Sequence, residues 1–296
     1  MKRNYLYAAS AILIWSTMAA VVKLLLTGLP SLEALAVSSF FAFLLLLAIN
    51  LRGRAQAMRR WPLRDYMTVA VLGFVGLFLY SALYYYGLSQ LSSQEACILN
   101  YLWPIMLVIF SSVILKERMT PIKAAAMLCS FAGIVVLSIG GGSGSGNRTS
   151  GMLSCVAAAA CYGLFSVLNK KAGKDQTVTM MTVWLTTGVC ALAAGLITET
   201  WTPITGMQWL GLLWLGSACN AAGYLLWALA LNGAENTAAI ANLAYLTPFL
   251  SLAVSAVLLK EKPRAHMIVA LVLIVGGILL QQIWDQRRSK APAFDP

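Results

Sequence analysis

Charged residues are scarce in this chain. Asp, Glu, Lys and Arg make up 10% of its 296 residues, whereas hydrophobic residues make up 60%. Soluble domains carry about a quarter charged residues, so this composition excludes an ordinary soluble domain and predicts a polytopic membrane protein. The six cysteines lie in apolar runs and form no C-x-x-C pair. They are therefore expected to be buried thiols rather than metal ligands or disulfides.

A constellation of nucleophile, general base or metal ligands is also missing from the sequence. We therefore expect no enzymatic activity and no cofactor. The segment GGGSGSGNRT at 140–149 could be mistaken for a phosphate-binding loop, but no Gly-Lys-Ser/Thr follows it. It is interpreted as a flexible linker.

Long apolar windows fill the rest of the chain, each close to the roughly 20 residues that cross a bilayer as a helix. Uninterrupted runs of this kind are typical of helices and not of a β-barrel. The sequence thus predicts an all-α membrane protein with ten transmembrane helices. The predicted spans are 5–25, 32–51, 66–88, 94–116, 121–139, 150–170, 178–198, 207–230, 236–259 and 265–284.

The distribution of basic residues predicts the orientation. If both termini are cytoplasmic, sixteen of the 21 Lys and Arg residues fall on the inner side and five on the outer side. This asymmetry follows the positive-inside rule, so the net charge of +11 reflects topology and not nucleic-acid binding. The predicted location is the bacterial inner membrane. The expected partners are the lipid bilayer and a small-molecule substrate, and the chain is expected to be a monomer or homodimer.

One motif occurs twice. The pattern Y-L-x-P, followed by an apolar run and L-K-E-[RK], recurs at an offset of 144 residues: Tyr101, Pro104 and Glu117 match Tyr245, Pro248 and Glu261. Five spans in each half is an odd number, so the second copy must cross the membrane in the opposite sense. Inverted repeats with matching helix interruptions are typical of secondary transporters. The predicted division is a first repeat at 1–139, the linker at 140–149 and a second repeat at 150–296, around a central cavity.

The two prolines predict helix interruptions near mid-membrane. Proline removes one N–H donor and clashes with the carbonyl four residues earlier, so the carbonyls of Asn100 and Ala244 are expected to be free. Free acceptors at this depth require a protein partner or a water-filled cavity. The alternative is that both prolines only kink their helices for packing.

Aromatic and amide side chains surround these interruptions in the sequence. Such residues suit a small amphiphile, because aromatic faces hold apolar groups or amines and amides bind the polar end. Aromatic belts at the membrane interface are the alternative, which fits Tyr101 and Trp103 poorly because they lie near mid-span. The candidate substrate-binding residues are Tyr80, Tyr84, Asn100, Tyr101, Trp103, Pro104, Tyr162, Tyr245 and Pro248.

Carboxylates fall at or near the predicted span ends. Glu95 is the best-placed candidate for ion coupling, one residue inside the fourth span. Because coupling usually uses a buried ionisable group, the lack of a deeper carboxylate favours facilitated diffusion or exchange over proton coupling.

The motifs Y-L-x-P, L-K-E-[RK] and I-W-S-T in the first span resemble those of the drug/metabolite transporter superfamily, in particular its EamA-type ten-span members. The string N-Y-L-W-P at 100–104 is similar to that of bacterial aromatic amino acid exporters in this superfamily. The resemblance implies that spans one, three, four, six, eight and nine surround a cavity that opens alternately to each side. Family binding positions would correspond to Tyr80, Tyr84, Tyr101, Trp103, Pro104 and Pro248, and Tyr162 stands where those exporters have Trp.

On this resemblance the function is expected to be export of small amphiphilic metabolites, preferably neutral or aromatic amino acids, by alternating access. A proton-coupled exporter of drugs or other metabolites is one alternative. A membrane sensor or structural subunit is another.

Overall fold

The computed structural model describes residues 2–53, 55–116, 120–140, 147–231 and 243–290. Glu117, residues 141–146 of the predicted linker and residues 236–242 of the predicted ninth span lie outside these ranges. The described part of the chain is helical, with no strand, and eight of its helices are long and apolar enough to span a membrane. Two shorter apolar helices complete the set, so the prediction of an all-α fold with ten helices is confirmed.

The helices are numbered in chain order, and a short additional helix, Ala55–Arg60, lies between α2 and α3. Their bounds are α1 Arg3–Leu25, α2 Ser31–Gly53, α3 Leu63–Gln90, α4 Ser93–Ile114, α5 Pro121–Gly140, α6 Arg148–Ala172, α7 Gln176–Thr198, α8 Gly206–Ala230, α9 Leu243–Leu258 and α10 Ala265–Lys290.

Local sequence explains where several helices begin and end. Ser92 forms a capping box with Glu95 at the start of α4, which satisfies N–H groups that have no partner within the helix. The Asp175 carboxylate accepts from the first N–H groups of α7. Gly173 ends α6 in the left-handed conformation, with φ of 59°, which glycine adopts without strain.

The backbone repeats itself at the offset of 144 residues. α4 is interrupted by a turn before its second segment, Trp103–Ile114, and α9 has a 3-10 turn before Thr247–Leu258. Each second segment has proline in its first turn. Lys116 and Lys260, which follow these segments, both have φ of 56°. The division at residues 139 and 150 itself stays a prediction.

π-helical segments occur in the third helix of each half. They span Phe74–Phe78 in α3 and Trp214–Ala222 in α8, and they overlap when the second is shifted back by 144 residues. π-helical turns shift the register of a helix face and often occur at functional sites. Tyr80 and Tyr224, also 144 residues apart, follow these segments by two residues.

Helix packing divides the centre of the bundle into two groups. α6 packs against α3 and α4, whereas α1 packs against α8 and α9. The pairs α2–α7 and α5–α10 complete the bundle. Glycines permit the close approach, as small residues often do in membranes. A Cβ on Gly163 would lie 2.7 Å from Met106 Cβ, and one on Gly223 would lie 2.6 Å from Trp15 Nε1.

Candidate functional site

A cavity of about 610 Å³ lies between the two groups of helices. As the resemblance implies, α1, α3, α4, α6, α8 and α9 supply its walls, and α7 adds Met180 and Trp184. Seven of the nine predicted site residues line it, namely Tyr80, Tyr84, Asn100, Tyr101, Trp103, Tyr162 and Tyr245. Pro104 and Pro248 are buried beside the cavity but are not among its lining residues.

The turn in α4 explains why two neighbouring aromatic residues face the same space. On a regular helix Tyr101 and Trp103 would point about 200° apart. Tyr101 instead has φ and ψ of −68° and 7°, and the next helical segment begins at Trp103. Both side chains consequently line the cavity. Pro104 therefore contributes to the site through the backbone.

Polar contacts connect the two interruptions to the cavity walls. The Asn100 Nδ2 atom donates to Tyr80 Oη at 3.2 Å. Tyr101 Oη donates to the carbonyl of Ala244 at 3.4 Å, which is the acceptor that Pro248 leaves without its usual helical donor. The interruption in one repeat is thus bonded to a side chain from the other.

Two aromatic walls face the cavity, one from each group of helices. In the first, Tyr80 stacks on Tyr84 with ring centroids 6.0 Å apart, and it contacts Tyr162 at 5.1 Å. In the second, Trp15 contacts Tyr224 at 5.3 Å. These pairs correspond in the repeat, since Tyr162 lies 147 residues after Trp15 and Tyr224 lies 144 after Tyr80. Such walls suit a flat apolar group.

The cavity wall is mostly apolar, and the polar groups in its described part are neutral. Among the described lining residues there is no Asp, Glu, Lys, Arg or His. Across the same described part of the chain, no group of three His, Cys, Asp or Glu side chains could hold a metal ion. Five buried lining atoms have no hydrogen-bond partner among the described residues, namely Asn100 Oδ1, Asn169 Oδ1, Trp184 Nε1, Asn220 Nδ2 and Thr247 Oγ1. The site therefore offers neutral donors and acceptors to a bound molecule.

Sequence reasoning missed several lining residues. The repeat offset could have found some, because Trp15, Met18 and Ala19 line the cavity at positions 147 before Tyr162, Phe165 and Ser166. Likewise Ala244 and Thr247 lie 144 after Asn100 and Trp103. Asn220 and Trp184 carried no such signal, since Asn220 corresponds to Gly76 and α7 was not expected at the cavity.

The two ends of the bundle are named after Lys23, near the end of α1, and Asn169, near the end of α6. The cavity is not centred between them. Lining residues reach Asn169 and Met180, close to the end of α6 at Ala172 and the start of α7 at Gln176. Towards the other end α1 contributes nothing beyond Ala19, although it continues to Leu25. Lining residues near that end, such as Asn169 and Met180, are partly exposed, whereas Ala19 and Cys97 towards the Lys23 end are buried. The structure is therefore more open at the Asn169 end.

Glu95, the candidate for ion coupling, lies outside the cavity at the Lys23 end. Its carboxylate pairs with Arg148 at 2.8 Å and accepts from Ser92 in the capping box. A carboxylate held in this way has a structural role at the start of α4.

Comparisons with known proteins now give the family. The EamA-like transporter family matches residues 2–139 and again residues 149–281. The chain belongs to this family. It is an integral membrane transporter and not an enzyme.

Relatives cover most of the transporter. It is 27% identical over 289 residues to the aromatic amino acid exporter YddG of Ancylobacter novellus, covering 94% of this chain and 96% of that protein. An uncharacterized transporter of Bacillus subtilis, YvbV, is 26% identical over 94% of this chain and 91% of its own. A probable amino-acid metabolite efflux pump of Salmonella typhimurium is 27% identical over 56% of this chain and 60% of its own. One crystal structure superposes with a TM-score of 0.70 at 26% identity, covering 98% of this chain and 100% of that one.

Proposed function

We propose that this transporter exports small amphiphilic metabolites, with neutral or aromatic amino acids as preferred substrates, by alternating access. The observation that carries the proposal is a cavity lined by aromatic rings and neutral polar groups, with no charged side chain among its described residues. Burying a net charge without a partner is costly. A molecule whose charges sum to zero therefore fits this cavity better than a charged one.

A zwitterion with an apolar side chain matches the available groups. The aromatic walls would hold the side chain and attract the ammonium group, and Asn100 Oδ1 is an acceptor for it. Asn220 Nδ2 and Trp184 Nε1 are donors suited to the carboxylate. The nine residues predicted from the sequence are proposed to bind or shape the site for this substrate. The names of two relatives, an aromatic amino acid exporter and a probable amino-acid metabolite efflux pump, support the same class.

Flux in liposomes tests this proposal. We expect purified transporter to move phenylalanine, tryptophan or leucine faster than lysine or glutamate, and the same neutral amino acids to raise its thermal stability. Trp103→Ala should reduce this flux, whereas Trp284→Ala should not, because Trp284 is exposed near the end of α10. Failure of every amino acid to move or to stabilise the protein would reject the substrate class.

Export of amphiphilic cations driven by protons is the second candidate, because aromatic walls also bind cations. Coupling usually needs an ionisable group on the substrate path, and Glu95 is paired with Arg148 away from the cavity. Flux that depends strictly on a pH gradient would favour this candidate.

We also propose that both termini are cytoplasmic in the bacterial inner membrane, which makes the Asn169 end the cytoplasmic one. The basic residues support this orientation, since Lys170, Lys171 and Lys174 lie at that end. Reporter fusions at the C-terminus, active only in the cytoplasm, test it.

A further inference from the structure

A lysine near the end of the first transmembrane helix makes two hydrogen bonds at the end of the bundle opposite Asn169. Lys23 Nζ donates to the carbonyls of Leu88 at 2.5 Å and Leu91 at 2.6 Å. These carbonyls are at the C-terminal end of α3, where a helix has unpaired acceptors and a partial negative charge. Lys23 is partly exposed two residues before the end of α1, and the two carbonyls are partners for its positive charge.

A carboxylate from the other repeat makes a second contact at the same end. Glu261 follows α9, and its oxygens accept from Ser93 N at 3.0 Å, Ser93 Oγ at 2.9 Å and Gln94 N at 3.3 Å. These are the first N–H groups of α4, which favour a negative charge. Glu261 and Glu95 also attract Lys23 electrostatically.

Both contacts cross between the two groups of helices around the cavity. Lys23 and Glu261 belong to the group of α1, α8 and α9, whereas their partners belong to the group of α3, α4 and α6. The more extensive helix packing between the groups also lies at this end, where the second half of α1 contacts α3 and α4, and α9 contacts the first half of α4. Nearer the middle of the bundle, the hydrogen bond from Tyr101 Oη to the Ala244 carbonyl also joins the two groups.

We propose that Lys23 is a positioning residue of the transport cycle, which keeps the cavity closed at its own end by binding the end of α3. If the two groups separate there, the ammonium group loses both carbonyls and must be hydrated. Opening this end therefore costs the two hydrogen bonds of Lys23, which water must replace. The proposal rests on the proposed alternating access and does not depend on which substrate is carried.

Cysteine labelling tests the proposal because a native thiol reports access to the cavity. Cys97 lines the cavity and is buried. In a variant that keeps only this cysteine, a membrane-impermeant maleimide applied from the Lys23 end measures how often that end opens. The Lys23→Met variant loses the hydrogen bonds of the charged ammonium group to the two carbonyls, so it should be labelled about ten times faster than the parent.

Three further variants separate closure from folding. Lys23→Arg keeps the positive donor and should label at a rate near that of the parent. Lys171→Met removes an exposed lysine at the other end of the bundle and should not change labelling. If Lys23→Met does not fold, Glu261→Gln weakens the second contact and should raise labelling in the same direction.

The outcomes distinguish this proposal from the transport cycle itself. Labelling of the parent from the Asn169 end alone, with and without substrate, would reject alternating access. Equal rates in the parent, Lys23→Met and Glu261→Gln would overturn the role of Lys23. A loss of thermal stability in Lys23→Met without faster labelling would also overturn it, because a purely structural contact gives that result.

Discussion

Replacing Pro104 by alanine should reduce transport without destabilising the protein. The substitution restores an N–H group that can donate to the carbonyl of Asn100, which proline leaves without this donor. One net hydrogen bond contributes about 0.5–1.5 kcal/mol, so the continuous form of α4 should gain about two- to tenfold in population. In that form Tyr101 and Trp103 would point about 200° apart, and one of them would leave the cavity.

Liposome flux and thermal unfolding measure the two effects separately. We expect the flux of Pro104→Ala to fall, at most by the two- to tenfold gain in the ratio of continuous to interrupted α4, while its melting temperature stays constant or rises. Pro248→Ala should behave alike, because its new N–H competes with Tyr101 Oη for the Ala244 carbonyl. Pro62→Ala is the control, since Pro62 is exposed and precedes α3. Unchanged flux in Pro104→Ala, or an equal loss in Pro62→Ala, would refute the reasoning.

Five other substitutions probe packing and polar contacts. Gly163→Ala places a Cβ 2.7 Å from a side chain of α4 and 2.8 Å from its backbone, so unfolding should become about 1–3 kcal/mol easier. The control Gly276→Ala, also within a helix, meets no atom within 4 Å, so its melting temperature should not fall and should rise slightly with the higher helix propensity of alanine. Glu95→Gln and Arg148→Gln should each lower thermal stability. The double variant should lose less than the sum of the two losses, because the pair interacts and is partly shielded from water. Additive losses would show that the two side chains do not stabilise each other. Tyr80→Phe removes the oxygen that accepts the 3.2 Å hydrogen bond from Asn100 Nδ2. Because this leaves the Asn100 amide unpaired, the substrate concentration that gives half of the thermal stabilisation should rise about five- to tenfold. An unchanged concentration would exclude this contact from the site.

Much of the fold was predictable because the bilayer imposes simple lengths and periods. Apolar runs near 20 residues gave the number of helices, and the two Y-L-x-P motifs gave both interruptions. The offset linking Tyr101 to Tyr245 also relates the backbone at Lys116 to that at Lys260, both with φ of 56°. A repeated sequence forms the same local structure twice, so one motif predicts two elements.

The rest depended on side-chain environment, which a single sequence does not contain. Asn220 lies in a π-helical segment of α8, where the register of the helix face changes, so helical spacing could not assign it to the cavity. Trp184 reaches the cavity from α7, a helix that otherwise packs on α2 and α3. Glu95 was the best candidate for ion coupling by depth alone, yet the three-dimensional structure pairs it with Arg148.

The inverted repeat leaves one pair of related residues in unequal environments, and this inequality predicts a second conformation. Lys170 lies 147 residues after Lys23, but it is exposed at the Asn169 end, whereas Lys23 binds two carbonyls. In the second conformation Lys170 would bind carbonyls and Lys23 would be exposed, so that the Asn169 end is closed and the Lys23 end is open. Because the hydrogen bonds broken and formed are of the same kind, the free-energy difference between the two conformations should be small. Lys170→Met should then disfavour that second conformation and slow the labelling of Cys97 from the Lys23 end, opposite in sign to Lys23→Met. Faster labelling, or no change, would mean that the two lysines do not exchange roles.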